Sequence, residues 1–317
     1  MADLSGKKIA VDISIYLYKY EADDTLLENM YLMLSIFRYY NVIPIFIFDG
    51  KPPPEKRELL IKRKEDKKEA QQEYNALKQS LENNLGYDES EKQDIVNAMD
   101  QLKKQFVNVS KDKIEKIKEL IRAYGATYYD APGEADELCA MLVVKKIVWA
   151  CLSEDMDMFV YGCSRVLRYF SIINHSVVLY SMKGILEELD MTHVNFKDIC
   201  ILSGTDYNIH ANTKKSKSKN KNIDITLYDT LKLFQKYKED IRCEEIKNNE
   251  ITFYNWLQNN TDCISDLELL EKINKMFDLS IDHCGLENFK HIKIINGPIN
   301  SHYLHEIMRE DGFIFIT

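Results

Sequence analysis

Two rhythms of apolar spacing alternate along the first two thirds of the chain. Lys8–Asp12 (KIAVD), Val42–Phe48 (VIPIFIF), 126–129, Ile147–Leu152 (IVWACL), 166–170 and 177–180 are short, dense runs rich in β-branched and aromatic residues. Between them lie stretches with apolar positions three and four apart. One is Leu26–Tyr40, with Leu27, Met30, Tyr31, Leu34 and Phe37 on one stripe; the others are 114–124, closing at Gly125, and 135–145. Short runs separated by helix-length segments predict strands joined through helical crossovers. The expected fold class is therefore α/β, a twisted, mostly parallel sheet with helices on both faces.

The pattern changes twice. Between Lys51 and Ser110 the apolar content drops and Lys, Glu and Gln take over with few β-branched residues, which predicts a protruding helical insertion of the core; a solvated linker has the same composition. After Asp206, His210–Asn222 (HANTKKSKSKNKN) carries five lysines and no acid, and reads as a flexible loop before a mainly helical remainder, 225–317. The expected organisation is a core over 1–206, with the helical insertion at about 51–110, followed by a helical C-terminal region over 207–317. No internal repeat is evident.

With 317 residues, 45% of them apolar and 29% charged, the chain can bury one large core or two ordinary ones and is not a wholly disordered polypeptide. Its longest apolar run has seven residues, against about 20 for a membrane span, so no membrane association is expected. The start, MADLSGKK, lacks the apolar stretch of a secretory signal. Cysteines at 139, 151, 163, 200, 243, 263 and 284 are odd in number and form no CxxC pair, which predicts reduced thiols in an intracellular protein. Net charge is 42 − 51 = −9, which argues against a nonspecific nucleic-acid coat. The sign is sorted along the chain, however, with basic stretches at 51–68 and 214–221. Phosphate contact by such stretches predicts binding that fades with added salt.

In an open α/β sheet, ligands bind beyond the carboxyl ends of the strands. Asp12, Asp49, Asp155 and Asp157 stand at or just past predicted strand ends. Glu134 and Asp136 follow the turn Ala131-Pro132-Gly133 at a helix start, and Asp206 lies in SGTDY at a helix-to-loop change. Any one of them alone would be read as a cap or a turn residue, as Asp130 is. Seven together are more than capping requires. Converging carboxylates repel one another and raise one another's pKa, and divalent cations relieve that penalty. An all-oxygen donor set without accompanying His or Cys suits two Mg²⁺ ions, with Mn²⁺ as a substitute, rather than zinc. Two ions about 4 Å apart can clamp the attacking and leaving oxygens of a phosphodiester. Positions i and i+2 face different sides of a helix, so Glu134 and Asp136 can both serve only at an irregular first turn, which Pro132-Gly133 supplies. The DxD spacing of Asp155 and Asp157 is by itself weak, since sugar transferases and topoisomerase-primase folds share it.

The segments GKKIAVDIS, FIFDGKPP, YYDAPGEADELCAMLV, SEDMDMFVYG and DICILSGTDY, in this order and spread over Gly6–Tyr207, resemble the motif set of the flap endonucleases and XPG-type 5′ nucleases. The resemblance implies a metal-dependent phosphodiesterase that cuts branched or 5′-ended DNA in replication or repair. It implies metal ligands at Asp12, Asp49, Glu134, Asp136, Asp155, Asp157 and Asp206. It also implies Lys56 and Arg63 on the active-site side of a helical gateway, as catalytic cations that neutralise the scissile phosphate. Their spacing of seven puts them on one helical face, which agrees; a solvated basic face is the plainer alternative. Tyr18, six after Asp12, matches a position where an aromatic stacks near the scissile nucleotide; Tyr16 competes for that role, and a core tyrosine is the plain reading of either.

The sequence also departs from the family pattern. A longer N-terminal segment beginning Met-Gly is expected in the family and is not seen here. Asp136 stands where the family has Glu. The glycine-rich turn that grips duplex backbone after the last motif is replaced by HANTKKSKSKNKN, whose Lys214, Lys215, Lys217, Lys219 and Lys221 can meet phosphates by charge. No sliding-clamp motif is evident in EIMREDGFIFIT. His283, Cys284, His291, His302 and His305 fit no zinc template. The expectation is a monomer whose partner is DNA, located inside the cell in the nucleus or at the site of DNA replication. A catalytically inactive DNA-binding homologue and an RNA-directed nuclease on the same core are the alternatives.

Overall fold

In a computed structural model, the structure describes residues 1–83, 88–207, 213–215, 222–224, 226–243, 252–264, 266–281 and 285–315. Strand β1 (Lys8–Asp12) leads into α1 (Ser14–Ala22) and α2 (Leu26–Tyr39), then β2 (Ile43–Phe48). Two long helices follow, α3 (Arg57–Asn83) and α4 (Glu89–Gln105), and then α5 (Lys111–Ala123). The core continues through β3 (Thr127–Asp130), α6 (Ala135–Val144), β4 (Ala150–Leu152), α7 (Asp157–Val160), β5 (Arg165–Ser171), β6 (Ser176–Ser181), α8 (Met182–Glu188) and α9 (His193–Ser203). Beyond it come the short strands β7 (Thr213–Lys215) and β8 (Asn222–Asp224) and helices α10 (Leu227–Cys243), α11 (Phe253–Asn260), α12 (Leu267–Met276) and α13 (Ser301–Glu310).

The main sheet runs β3-β2-β1-β4-β5-β6, parallel throughout except for antiparallel β6. Alternate strand residues feed two apolar layers. Ala10, Ile45, Ile47, Cys151 and Val166 pack against α6, α7 and α9. Ile9, Val11, Phe46, Phe48, Ala150, Leu152 and Leu167 pack against α1, α2 and α5. The C-terminal helices join both layers: Phe253, Trp256, Leu257, Leu270 and Ile273 lie in the first, Leu304, Ile307 and Met308 in the second. The expected fold class is thus found, with a pair of long helices where the insertion was predicted.

Three local expectations differ. The run at 147–152 yields only the three-residue β4, because the backbone N–H groups of Ile147 and Val148 donate to Leu142 O (2.9 and 3.2 Å) and close α6, with Lys146 in the left-handed region. Trp149 N is the first to reach β1, at Lys8 O (2.7 Å). Asp130 is no cap but pairs with Lys118 Nζ at 2.8 Å. The Lys-rich segment includes the antiparallel strands β7 and β8, where Lys214 pairs with Ile223 and Lys215 with Asn222; Lys217, Lys219 and Lys221 lie outside the described residues.

The strand order changes direction at β1: β2 and β3 lie to one side of it and β4 to the other. That switch point, between the carboxyl ends of β1 and β4, is where an α/β sheet opens a crevice. Asp12 ends β1, and Asp155 follows β4 by three residues.

Candidate active site

The acids reach the crevice because each strand end is tied to a neighbouring turn. Asp12 Oδ1 accepts from Ser14 N (3.2 Å) at the start of α1, and its Oδ2 accepts from Ser153 Oγ (2.9 Å) just past β4. Ser153 Oγ in turn accepts from Asp155 N (3.1 Å), and Asp155 Oδ1 from Asp157 N (2.8 Å). Asp49, past β2, accepts from Ser14 Oγ and, through Oδ1, from Ala135 N at 2.8 Å. It thereby caps α6 from a distant segment and places a carboxylate against the positive end of that helix. Gly50 makes this closure possible. Its N–H donates to Gly133 O (2.7 Å), and a Cβ at that position would stand 1.9 Å from Ala131 O.

Glu134 sits just outside α6 with extended backbone (φ −84°, ψ 149°), whereas Asp136 lies inside the first turn. This is the irregular start that the i, i+2 spacing required. Past α9, Gly204 at φ 120° ends the helix and delivers Asp206.

All seven acids, with Tyr18, Lys56 and Arg63, line one cavity of about 710 Å³. Ligand oxygens of Asp136, Asp155 and Asp157 lie within 4.8 Å of one another, so these three carboxylates can hold a metal ion. Burial, followed by the nearby Asp49, pushes the Asp12 carboxyl up to about 7. Burial and then Asp155 do the same to Asp157, also to about 7. Asp136, fully buried and beside Glu134, is held well above the usual carboxylate range. The physical cause is the one that the sequence implied: clustered acids favour protonation unless a cation neutralises them.

Lys56 and Arg63 share a target, although they do not share a helix face. Lys56 ends a 3-10 turn (Pro54–Lys56), while Arg63 lies on α3. Lys56 is 5% exposed; its Nζ lies 2.7 Å from Glu134 Oε1 and 3.2 Å from Asp206 Oδ2. Arg63, half exposed, reaches Asp206 Oδ2 at 3.2 Å. Both cations therefore engage acids of the cluster rather than stand off as an exposed basic face. The acids around Lys56, Asp136 and Glu134 among them, outweigh its burial and raise its pKa.

Of the two candidate tyrosines, Tyr18 lines the cavity at 46% exposure, with Lys67 Nζ 5.1 Å from its ring centre, whereas Tyr16 is buried in the core against Tyr20 and Phe170. Several contributors escaped the sequence reading. Tyr207 donates its hydroxyl to Glu134 Oε2 (2.7 Å) and lies under Lys56 Nζ at 5.1 Å. Ser14 and Ser153 bridge the acids, and Glu154 joins the cavity wall. Each stands within one or two positions of a predicted acid, which was the available signal.

An open α/β sheet with a carboxylate-lined cleft at its switch point defines the class as that of α/β proteins with a candidate metal site. Residues 1–70 match the XPG N-terminal domain and residues 125–206 the XPG I-region. In these two regions the chain is an XPG-type protein. It is 30% identical over 220 residues to flap endonuclease 1 of Xenopus tropicalis, covering 64% of this chain and 54% of that protein. It is 33% identical over 221 residues to flap endonuclease 1-A of Oryza sativa subsp. japonica, covering 64% and 55%. The chain thus spans about half the length of the curated relatives it matches. Among solved structures it resembles the catalytic core of Rad2 in complex with DNA substrate, with TM-score 0.63, 19% identity, and coverage of 98% of this chain and 89% of that one. Flap endonuclease-1 from Methanococcus jannaschii gives 0.56, 20%, 98% and 95%. These structural likenesses bear on the fold. Among the described residues, no helix is long and apolar enough to cross a membrane.

Proposed function

We propose that this protein is a divalent-metal-dependent, structure-specific 5′ nuclease that hydrolyses DNA phosphodiesters at flaps or 5′ ends. The observation that carries the reading is the convergence on one cavity of seven acids from five separated motifs, joined by Tyr18, Lys56 and Arg63, with three carboxylates at metal-binding separation. The relatives named above are flap endonucleases, and the solved Rad2 core is bound to DNA substrate.

Asp12, Asp49, Glu134, Asp136, Asp155, Asp157 and Asp206 form an all-oxygen donor set, partly buried and poor in cations of its own, which suits two Mg²⁺ or Mn²⁺ ions. Such ions supply Lewis-acid stabilisation of the attacking and leaving oxygens of a phosphodiester. The protein's own part is positional and electrostatic. Substrate phosphate competes with Glu134 and Asp206 for Lys56 and Arg63, which then stabilise charge developing on the phosphoryl oxygens. Tyr18 presents an exposed ring on which a base beside the scissile phosphate can stack. Helices α3 and α4 stand over this side of the cleft as the gateway. Residues 207–317 form the C-terminal DNA-contacting region, in which Lys214, Lys215, Lys217, Lys219 and Lys221 meet duplex phosphates. The products carry a 5′-phosphate and a 3′-hydroxyl, and the place of action is the site of DNA replication or repair inside the cell.

The test is a labelled double-flap substrate, beside nicked, single-stranded and matched RNA substrates, with Mg²⁺ or EDTA. The expected result is cleavage near the flap junction that needs the metal. It should fall about 1000-fold or more in Asp155→Asn, since several kcal/mol of metal-borne stabilisation are lost. Cleavage that survives EDTA, or an unaffected Asp155→Asn, would refute the proposal.

A further inference from the structure

Asp155 and Asp157 are carried by the turn that joins β4 to α7, and that turn is gripped from outside by β5. Arg168 on β5 reaches over it with three groups. Its Nη2 donates to Glu154 O at 2.8 Å, its Nη1 to Met156 Sδ at 2.7 Å, and its Nε stands 3.4 Å from Glu154 Oε2. The other Glu154 oxygen, Oε1, accepts from the backbone N–H of Tyr169 at 2.6 Å. Both side chains are largely buried, Arg168 at 14% exposure and Glu154 at 19%.

The last of these bonds has a structural cause. On β5 and β6, Arg168 pairs with Val178 and Ser171 with Ser176, so that Tyr169 and Phe170 together face the single residue Val177. The extra residue is a β-bulge, and Tyr169 takes φ 57° within it. An L side chain rarely adopts that conformation, and a strand does not need it. The bulge does two things at once. It turns the N–H of Tyr169 toward Glu154, and it leaves Phe170 in the core against Phe37 (5.5 Å) and Tyr16 (6.2 Å). Strain of this kind persists where the surroundings impose it, and bulges re-aim groups beside active sites.

Glu154 lines the acid cavity, yet it is absent from the trio of acids at ligand separation. With one oxygen on Tyr169 N–H and the other facing Arg168, its carboxylate is turned away from the metal position. We infer that Glu154, Arg168 and the bulge at Tyr169 are positioning residues that fix the Asp155–Asp157 turn for metal binding. The inference rests on the metal-site reading above. Groups that orient metal ligands without touching the ion tune affinity strongly, and their loss weakens binding about 10-fold or more.

The test is direct titration of the full chain with Mn²⁺, by calorimetry and by electron paramagnetic resonance, alongside thermal melting in EDTA. Glu154→Gln keeps the shape and one acceptor but loses the ion pair; Arg168→Lys keeps the charge but loses the fork. Each is expected to raise half-saturating Mn²⁺ about 10-fold, with a lower metal-free melting temperature because a largely buried pair is broken. At saturating Mn²⁺, flap cleavage by both should return to near the wild-type rate, a split that general loss of structure would not give. At position 169 both Gly and Val remove the ring, but only Val opposes positive φ, so Tyr169→Val is expected to bind Mn²⁺ several-fold more weakly than Tyr169→Gly. If Arg168→Lys proves unstable, Glu154→Gln decides alone. Wild-type Mn²⁺ affinity in Glu154→Gln would overturn the inference while leaving the metal site standing, and equal affinities for the two substitutions at 169 would remove the bulge from it. A wild-type chain that binds no Mn²⁺ would overturn this inference together with the metal-site reading.

Discussion

The floor of the cleft and the helices beside it are built on opposite principles. The floor is an extension of the core. Asp12, Asp136 and Lys56 are buried, and the strands that present the acids lie between two apolar layers. The gateway is almost bare. Along the 27 residues of α3 only Ala70 is buried, and along α4 only Leu102. The pair is held by an edge-on contact of Tyr74 with Phe106 (5.5 Å) and by Lys67 Nζ on Val107 O (3.0 Å). Ion pairs add Lys103 to Asp24 and Lys104 to Asp23 (3.5 Å) at the turn between α1 and α2. The difference teaches where each property resides. Position of the acids is a matter of packing and changes little with solvent; attitude of the gateway is a matter of charge and responds to salt.

Lys56 and Arg63 bridge the two regions, and substituting them has the largest effect expected of any change outside the acids. Lys56→Met removes a buried cation from Glu134 and Asp206. Flap cleavage should fall about 100-fold, the usual scale for one donor aimed at developing charge. Its metal-free melting temperature should also drop, because two acids are left without their partner. Arg63→Met removes a half-exposed partner of Asp206 alone, so cleavage should fall by about 10-fold with little change in melting, on the smaller scale of solvent-screened pairs. Equal losses in the two variants, in kinetics and in melting, would erase the distinction between floor and gateway.

A second consequence belongs to the floor alone. In the folded, metal-free protein Asp12 and Asp157 titrate at about 7, whereas in the unfolded chain an aspartate titrates near 3.9. The folded state therefore holds extra protons between those values, and the stability this contributes is lost as pH rises through 7. Metal binding displaces the same protons. Half-saturating Mg²⁺ should thus fall by about 10-fold or more from pH 6 to pH 8. The gain in melting temperature on adding Mg²⁺ should widen over the same interval. A metal affinity that does not vary with pH would contradict the clustering of these acids.

The smallest effect is expected at the gateway. Lys103→Ala should move the melting temperature by no more than about 2 °C. Even so, limited proteolysis in α3 and α4 should quicken, as it should for wild type when NaCl is raised, with the core fragments surviving. Cleavage of core and gateway at equal rates would count against the separation.

Much of the floor was legible in the sequence, for physical reasons. A strand buried on both faces writes itself as a dense apolar run, so β1 and β2 were visible together with the acids that close them, Asp12 and Asp49. The break before Asp136 was visible because Pro132-Gly133 cannot continue a regular turn. The end of Ile147–Leu152 was misjudged because its first residues serve α6 through backbone bonds, which side-chain identity does not encode. Lys56 was read as a cation on the same helical face as Arg63; its burial follows from the 3-10 turn that opens at Pro54 and from the acids that meet it, contacts nearly eighty residues or more apart in sequence. Tyr18 and Tyr16 were indistinguishable by spacing because α1 is apolar on more than one side. The bulge at Tyr169 left no trace at all, since strand register is a property of two segments at once.

The central claim is that acids far apart in sequence gather to hold divalent cations, and anomalous diffraction from crystals grown with Mn²⁺ tests it most directly. The account predicts an anomalous peak bounded by the carboxylates of Asp136, Asp155 and Asp157, lost in Asp155→Asn crystals grown the same way. Ordered crystals in which that cleft shows no peak, while Mn²⁺ is bound elsewhere on the chain, would contradict it.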